Sequence, residues 1–231
     1  AFNPDVIVIS GAYTDVDGCE VDRMRCLLVN CLGVGEISKK FSSHIVYIST
    51  DYVFSGDRGW YSERDLPRPV QWYGVTKLCG EYAVMSSARR WTVFRPSTLF
   101  GAGGQKENFG MFVVRSLLKG ISIKAFDDMF STPTLANNLV EAVIEAIERE
   151  LVGLYHFAGR DRVSRYEWAL AIARLLGKES LVQRGSMSEA RWSAQRPRDS
   201  SLSSQLADSV FKTSRLSLEE SVYRFVRDLG L

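Results

Sequence analysis

Histidine and cysteine are scarce in this 231-residue chain: His44 and His156 are its two histidines, and Cys19, Cys26, Cys31 and Cys79 contain no C-x-x-C pair. That scarcity argues against a zinc set and offers no disulfide framework. An excess of one charge is also lacking, since 29 basic against 27 acidic residues leave +2. Such balance argues against nucleic acid as a partner. The apolar runs fall far short of the ~20 residues that span a bilayer, and no secretory leader is visible. The expectation is a reduced, cytoplasmic protein with no membrane partner. An initiator methionine is missing as well: Ala1-Phe2-Asn3-Pro4 leads at once into a strand-like run, as if the chain opened in mid-architecture.

What is present suits a well-filled core, with 45% hydrophobic residues over a length that fits one sizeable domain or a core with an appended lobe. Val6 to Ile9 and His44 to Ile48 are continuous β-branched runs of the kind buried on both faces of a parallel sheet. Between them, Glu20 to Phe41 carries Met24, Leu27, Leu28, Cys31, Leu32 and Ile37 at helical spacing, which predicts a strand-helix-strand unit. A right-handed crossover brings Ser10 to Thr14 and Ser49 to Asp51 to one rim, where open sheets bind ligands. A proline-rich loop follows, then a predicted helix from Tyr73 to Ser87 with Leu78, Tyr82 and Met85 inward, and a strand at Trp91 to Phe94. Past Gly120 the elements shorten. Predicted there are strands at Ile121 to Ala125 and Leu154 to Phe157 and helices at about Thr134 to Arg149, Arg165 to Leu176 and Leu218 to Leu229. Ser164 and Glu167 form a capping box, with Gly177 as the stop. The fold class is α/β: a Rossmann-like doubly wound parallel sheet without its first strand-helix units, with a small C-terminal lobe. Residues 1–120 read as the dinucleotide-binding core and 121–231 mainly as a substrate-binding lobe, with some segments returning to the core.

Chemistry points to Tyr73 and Lys77, four apart in W-Y-G-V-T-K-L-C-G-E, and to Thr50, 23 residues before Tyr73 in S-T-D-Y-V-F. Residues four apart on a helix share a face. An ammonium there would lower a phenol from its usual pKa of about 10 by about 1 to 3 units. With a hydroxyl such as Thr50, the phenol can hold and protonate a carbonyl oxygen as hydride reaches the carbon. Alone, the spacing is commonplace on surface helices. Gly11-Ala12-Tyr13-Thr14, straight after a strand, fits either close approach of a nucleotide or a tight turn. Gly101-Ala102-Gly103-Gly104 fails the G-x-G-x-x-G pattern and reads as a mobile loop over the site. His156 reads as structural and Asp127-Asp128 as a solvated turn; no metal site is expected.

The motifs P-D-V-I-V-I-S-G-A-Y-T-D-V-D-G-C-E, S-T-D-Y-V-F-S-G, W-Y-G-V-T-K-L-C-G-E, F-R-P-S-T-L-F-G, S-T-P-T, G-L-Y-H-F-A-G and R-P-R-D-S-S-L occur in one order along the chain. Together they resemble the dTDP-4-dehydrorhamnose reductases of the extended short-chain dehydrogenase/reductase superfamily, over essentially the whole length. The resemblance implies that Tyr73 is the proton donor and that Lys77 tunes it while bonding the nicotinamide ribose. It implies that Thr50 is the catalytic hydroxyl, contacting the sugar with Asp51, and that Gly11, Ala12, Tyr13, Thr14, Pro96 and Ser97 border the cofactor. The implied cofactor is NADPH or NADH. The implied substrate is a dTDP-linked 4-keto-6-deoxysugar, dTDP-4-dehydro-6-deoxy-L-mannose, reduced to dTDP-L-rhamnose, and a homodimer is common in the family. Two departures stand out. The family's glycine-rich pyrophosphate turn, within about 50 residues before the position of Pro4, has no counterpart here. Thr98 stands where several members have tryptophan, so an aromatic wall is expected to be missing. Rival readings are a non-catalytic dinucleotide-binding subunit, resembling the β subunit of methionine adenosyltransferase, and a reductase or epimerase of another nucleotide sugar.

Overall fold

The computed structural model describes residues 3–104 and 107–231. Ala1 and Phe2, at the odd N-terminal start, lie outside the described residues. The first half runs β1 (Val6–Ile9), α1 (Val16–Val21), α2 (Arg23–Leu27), a π-helical turn (Leu28–Leu32), α3 (Gly33–Lys40), β2 (His44–Ile48), α4 (Trp72–Ser87) and β3 (Arg90–Arg95). The second half continues with β4 (Leu99–Phe100), α5 (Phe109–Leu118), β5 (Ile123–Phe126), β6 (Phe130–Ser131), β7 (Thr134–Leu135) and α6 (Ala136–Glu148). It closes with β8 (Gly153–His156), β9 (Val163–Ser164), α7 (Arg165–Leu176), β10 (Val182–Gly185), α8 (Gln205–Val210) and α9 (Leu218–Asp228).

The main sheet is parallel throughout in the order β1-β2-β3-β8. Of the two β-branched runs legible in the sequence, β2 is buried on both faces as expected, whereas β1, at the end of the strand order, leaves Val8 44% exposed and buries only Ile9. On one face α3 and α4 pack over Ile9, Ile45, Tyr47 and Val93; on the other α6 and α8 pack over Val46, Phe94, Tyr155 and Phe157. A second core gathers α5, α7 and α9 around the β5-β10 pair, with Trp168, Phe100 and Phe225 at its centre. The main-sheet and lobe architecture is that of a Rossmann-like α/β protein with a small C-terminal lobe. The capping box at Ser164 and Glu167 is formed, and α7 ends at Gly177 in the left-handed conformation that glycine adopts without strain.

Four expectations are corrected. The helix from Glu20 to Phe41 is broken at Asp22, which caps α2, and again at the π-helical turn. Its apolar stripe faces outward: Met24 is 62% exposed, and Leu28, Leu32 and Ile37 are exposed too. On α4, Tyr82 is 57% exposed, while the buried positions are Gly74, Thr76, Lys77, Gly80, Glu81 and Val84. Small residues are needed there because a Cβ at Gly80 would strike the Asn30 carbonyl and the Tyr47 hydroxyl. Finally, the cysteines pair as Cys19–Cys26 and Cys31–Cys79. Their partners converge only after the helices pack, which irregular spacing along the chain conceals.

Candidate active site

Parallel strands β2 and β3 end at the same rim, and the segments leaving them form the floor of a cleft. A cavity of about 360 Å³ is lined there by Thr14, Thr50, Asp51, Tyr52, Tyr73, Pro96, Thr98 and Arg165, among others. Thr50 leaves β2 in extended backbone and caps a short 3-10 turn, Asp51–Val53, by accepting from the Tyr52 amide at 3.2 Å. Gln71 caps α4 by accepting from Gly74. That start of the helix brings Tyr73 into the same cleft as Thr50. Gly74 lets the helix sit close, since a Cβ there would strike the Tyr52 carbonyl.

Tyr73 and Lys77 share a face of α4, yet their polar ends do not act on one another as the spacing suggests. Burial raises the Tyr73 phenol well above its usual value, and the nearby Asp51 carboxylate adds to the rise; the Thr50 side chain, as a hydrogen-bonding neighbour, opposes it. Lys77 is 1% exposed. Its ammonium donates to the Ile48 carbonyl at 2.7 Å and lies 4.0 Å from the centre of the Tyr47 ring. Burial lowers it to about 7, with Glu81 pulling upward. The expected acidification of Tyr73 by Lys77 is therefore corrected for this state: the ammonium is turned to a backbone carbonyl, and desolvation dominates the phenol.

Asp51 is buried with its carboxylate saturated by hydroxyls, from Ser97 at 2.8 Å, Ser200 at 2.5 Å and Thr50 at 3.0 Å. Burial raises its pKa and those three hydroxyls oppose the rise. Pro96 lines the cavity, whereas Ser97 is wholly buried and turned to Asp51. Thr14 lines the cavity, and Gly11 follows β1 with no heavy atom within 4 Å of the place of a Cβ. Ala12 is half-buried and Tyr13 is fixed through its backbone, donating to Asn30 Oδ1 at 2.8 Å and accepting from Nδ2 at 3.1 Å. Thr98 holds φ of +40°, an uncommon and strained value for a β-branched residue. Glu107 and Asn108 also line the cavity. His156 is buried, its Nδ1 between the Tyr61 and Ser203 carbonyls, and burial lowers it to about 3. Asp128 accepts from Ser186 and the Met187 amide.

A model of the RmlD substrate binding domain matches residues 1–230. The chain belongs to the dTDP-4-dehydrorhamnose reductase family. It is 30% identical over 229 residues to a probable low-salt glycan biosynthesis reductase, Agl14, of Haloferax volcanii, covering 96% of this chain and 76% of that protein. It is 32% identical over 182 residues to the dTDP-4-dehydrorhamnose reductase of Aggregatibacter actinomycetemcomitans, covering 74% of this chain and 61% of that protein. The structure of the Bacillus anthracis dTDP-4-dehydrorhamnose reductase, solved with NADP, superposes with a TM-score of 0.91 at 30% identity, over 97% of this chain and 81% of that one.

Two residues of this family member escaped the sequence reading. Asn30 sits in the π-helical turn, binds the Tyr13 backbone and donates to Thr76 Oγ1 at 3.2 Å, while its own carbonyl accepts from the Tyr47 hydroxyl at 3.2 Å. It thereby ties the strand-end segment to the helix that carries Tyr73. A π-helical insertion, often found at functional sites, leaves no periodic signal in a short window. Arg165, legible only as the start of a helix, enters the cavity because α7 docks beside it.

Proposed function

We propose that this protein reduces the 4-keto group of dTDP-4-dehydro-6-deoxy-L-mannose to the alcohol of dTDP-L-rhamnose, with NADPH or NADH as reductant. The observation that carries the reading is the meeting of Tyr73 and Thr50 in one cleft at the ends of β2 and β3, with a buried ammonium behind them. A nicotinamide ribose fits this wall. Lys77 commits one of its three N–H groups to Ile48 among the described residues, leaving donors for ribose hydroxyls, and Tyr73 stands on the same helix face. Thr14 and Pro96, with Gly11, Ala12 and Tyr13 nearby, would border the ring, and Ser97 would support them through Asp51. When bound, the reduced nicotinamide supplies the hydride.

The rest of the work falls to the chain itself. Tyr73 stays protonated at neutral pH and delivers its proton to the carbonyl oxygen as negative charge develops there. Thr50, which donates its single hydroxyl proton to Asp51 here, would turn that proton to the carbonyl oxygen when substrate binds and hold it against the phenol. Asp51 keeps its orientation through Ser97 and Ser200 and would act on the substrate through Thr50. The division of labour we propose is a dinucleotide-binding core over residues 1–120 and a substrate-side lobe over 121–231, with β8 and α6 returning to the core. The assembly we propose is a homodimer, supported by the exposed apolar residues of α2, the π-helical turn and α4. Among the described residues no helix is long and apolar enough to cross a membrane. The cytoplasm is the compartment we propose.

The test is NADPH oxidation by the purified protein given the dTDP-ketosugar. Tyr73→Phe is expected to cut kcat by at least ~100-fold with little change in cofactor affinity. Undiminished turnover in that variant would remove the proposed acid; cofactor binding with no turnover in the wild type would favour the non-catalytic reading.

A further inference from the structure

Among the described residues Arg165 is a cation with no hydrogen-bonding or ion-pair partner for its Nη1. Its side chain forms no hydrogen bond and no ion pair among the described residues, and its Nη1 is buried and unpaired. What holds the guanidinium is aromatic: it lies 4.8 Å from the centre of the Phe109 ring and 5.2 Å from that of Trp168. Both rings are fixed in turn, Phe109 against Trp168 at 5.0 Å and Trp168 against Phe100 at 4.8 Å. Stacking of this kind pre-orients the planar fork while leaving its donors free.

The carboxylates that line the same cavity are engaged elsewhere. Asp51 is saturated by the hydroxyls of Ser97, Ser200 and Thr50, and Glu107 pairs with Arg115 at 2.8 Å. Asp51 and Tyr52 lie near enough to favour the charge on Arg165 without bonding it. A buried donor left unmade is destabilising, and more so when charged, so the fold bears a cost that a ligand would offset. Trp168 also has an unpaired Nε1 but is wholly buried, whereas Arg165 borders the cavity. Of the two residues with an unpaired donor, Arg165 is therefore the one that borders the cleft.

We propose that Arg165 is a substrate-specificity residue that binds the diphosphate of the nucleotide sugar. This rests on the nucleotide-sugar reading above, in which the diphosphate is the one anionic group of the substrate. A guanidinium fork matches two phosphate oxygens at once. Bound there, the diphosphate anchors the sugar beside Thr50 and Tyr73, since all three residues line one cavity.

Calorimetric titration with dTDP and with thymidine tests this without turnover, and so separates it from failure of the reductase assignment. Arg165→Met is expected to weaken dTDP binding at least tenfold and leave thymidine unchanged, with Arg165→Lys recovering part of the loss. Arg165→Gln serves as the second variant if the methionine protein does not fold, with the same expected loss. An affinity for dTDP within twofold of wild type in the folded variant, a parallel loss for thymidine, or no dTDP binding by the wild type would each overturn the proposal.

Discussion

Burial acts on Tyr73 and Lys77 in opposite directions, because it disfavours the charged form of each. The phenol is raised and the ammonium is lowered to about 7, so both groups tend toward neutrality. For Tyr73 this suits a donor, which must carry its proton until a carbonyl oxygen needs it. For Lys77 it links protonation to folding. The unfolded chain keeps lysine near ~10.4, so between about pH 7 and that value the unfolded state binds more protons. Stability should then rise with pH across the window, by about 1.4 kcal/mol per unit at most. Urea midpoints at pH 7, 8 and 9 check it: the rise should be present in the wild type and reduced in Lys77→Met. Equal slopes in the two proteins would mean that Lys77 is not desolvated. The identity and spacing of Thr50, Tyr73 and Lys77 were legible in the chain. The direction of the ammonium was not, because it depends on the Ile48 carbonyl and the Tyr47 ring of a neighbouring strand.

At the scale of elements, α4 is held to the sheet by charge as well as by glycine. Glu81 receives Arg95 of β3 in a two-pronged pair, Nε at 2.9 Å and Nη2 at 2.6 Å, and Ser49 Oγ donates to it at 2.5 Å. Both side chains are almost fully buried. Removing one partner leaves the other charge unpaired in the core, which typically costs about 3–5 kcal/mol. Glu81→Ala should lose that much stability in chemical denaturation, and Glu81→Leu combined with Arg95→Met should regain much of it. A loss under ~1 kcal/mol for the single change would show that water reaches the pair. Strands β1 and β2 and helix α7 were readable in advance because their signals are local: β-branched runs, a capping box and a terminal glycine. The break at Asp22, the π-helical turn, β10 and α8 were not. They answer to packing partners far along the chain, so no local period records them.

For the whole molecule, the outward apolar side chains of the first helical segment mark a surface rather than a core. Met24, Leu28, Val29 and Leu32 are exposed there, as are Val75 and Tyr82 on the neighbouring α4. If a second copy covers this face, light scattering should give twice the chain mass, and Leu28→Glu with Leu32→Glu should shift it to one while leaving the fold intact by circular dichroism. A monomeric wild type at micromolar concentration would remove the dimer. By itself the sequence determined the alternation of parallel strands and helices, the family, and which side chains are chemically competent, since these rest on residue type and short-range spacing. Only tertiary structure decided which apolar face is buried, where the Lys77 ammonium points, which cysteines meet and that Arg165 enters the cleft. The reason is physical: desolvation and contact are properties of neighbours in space, and distant segments become neighbours only when the chain packs.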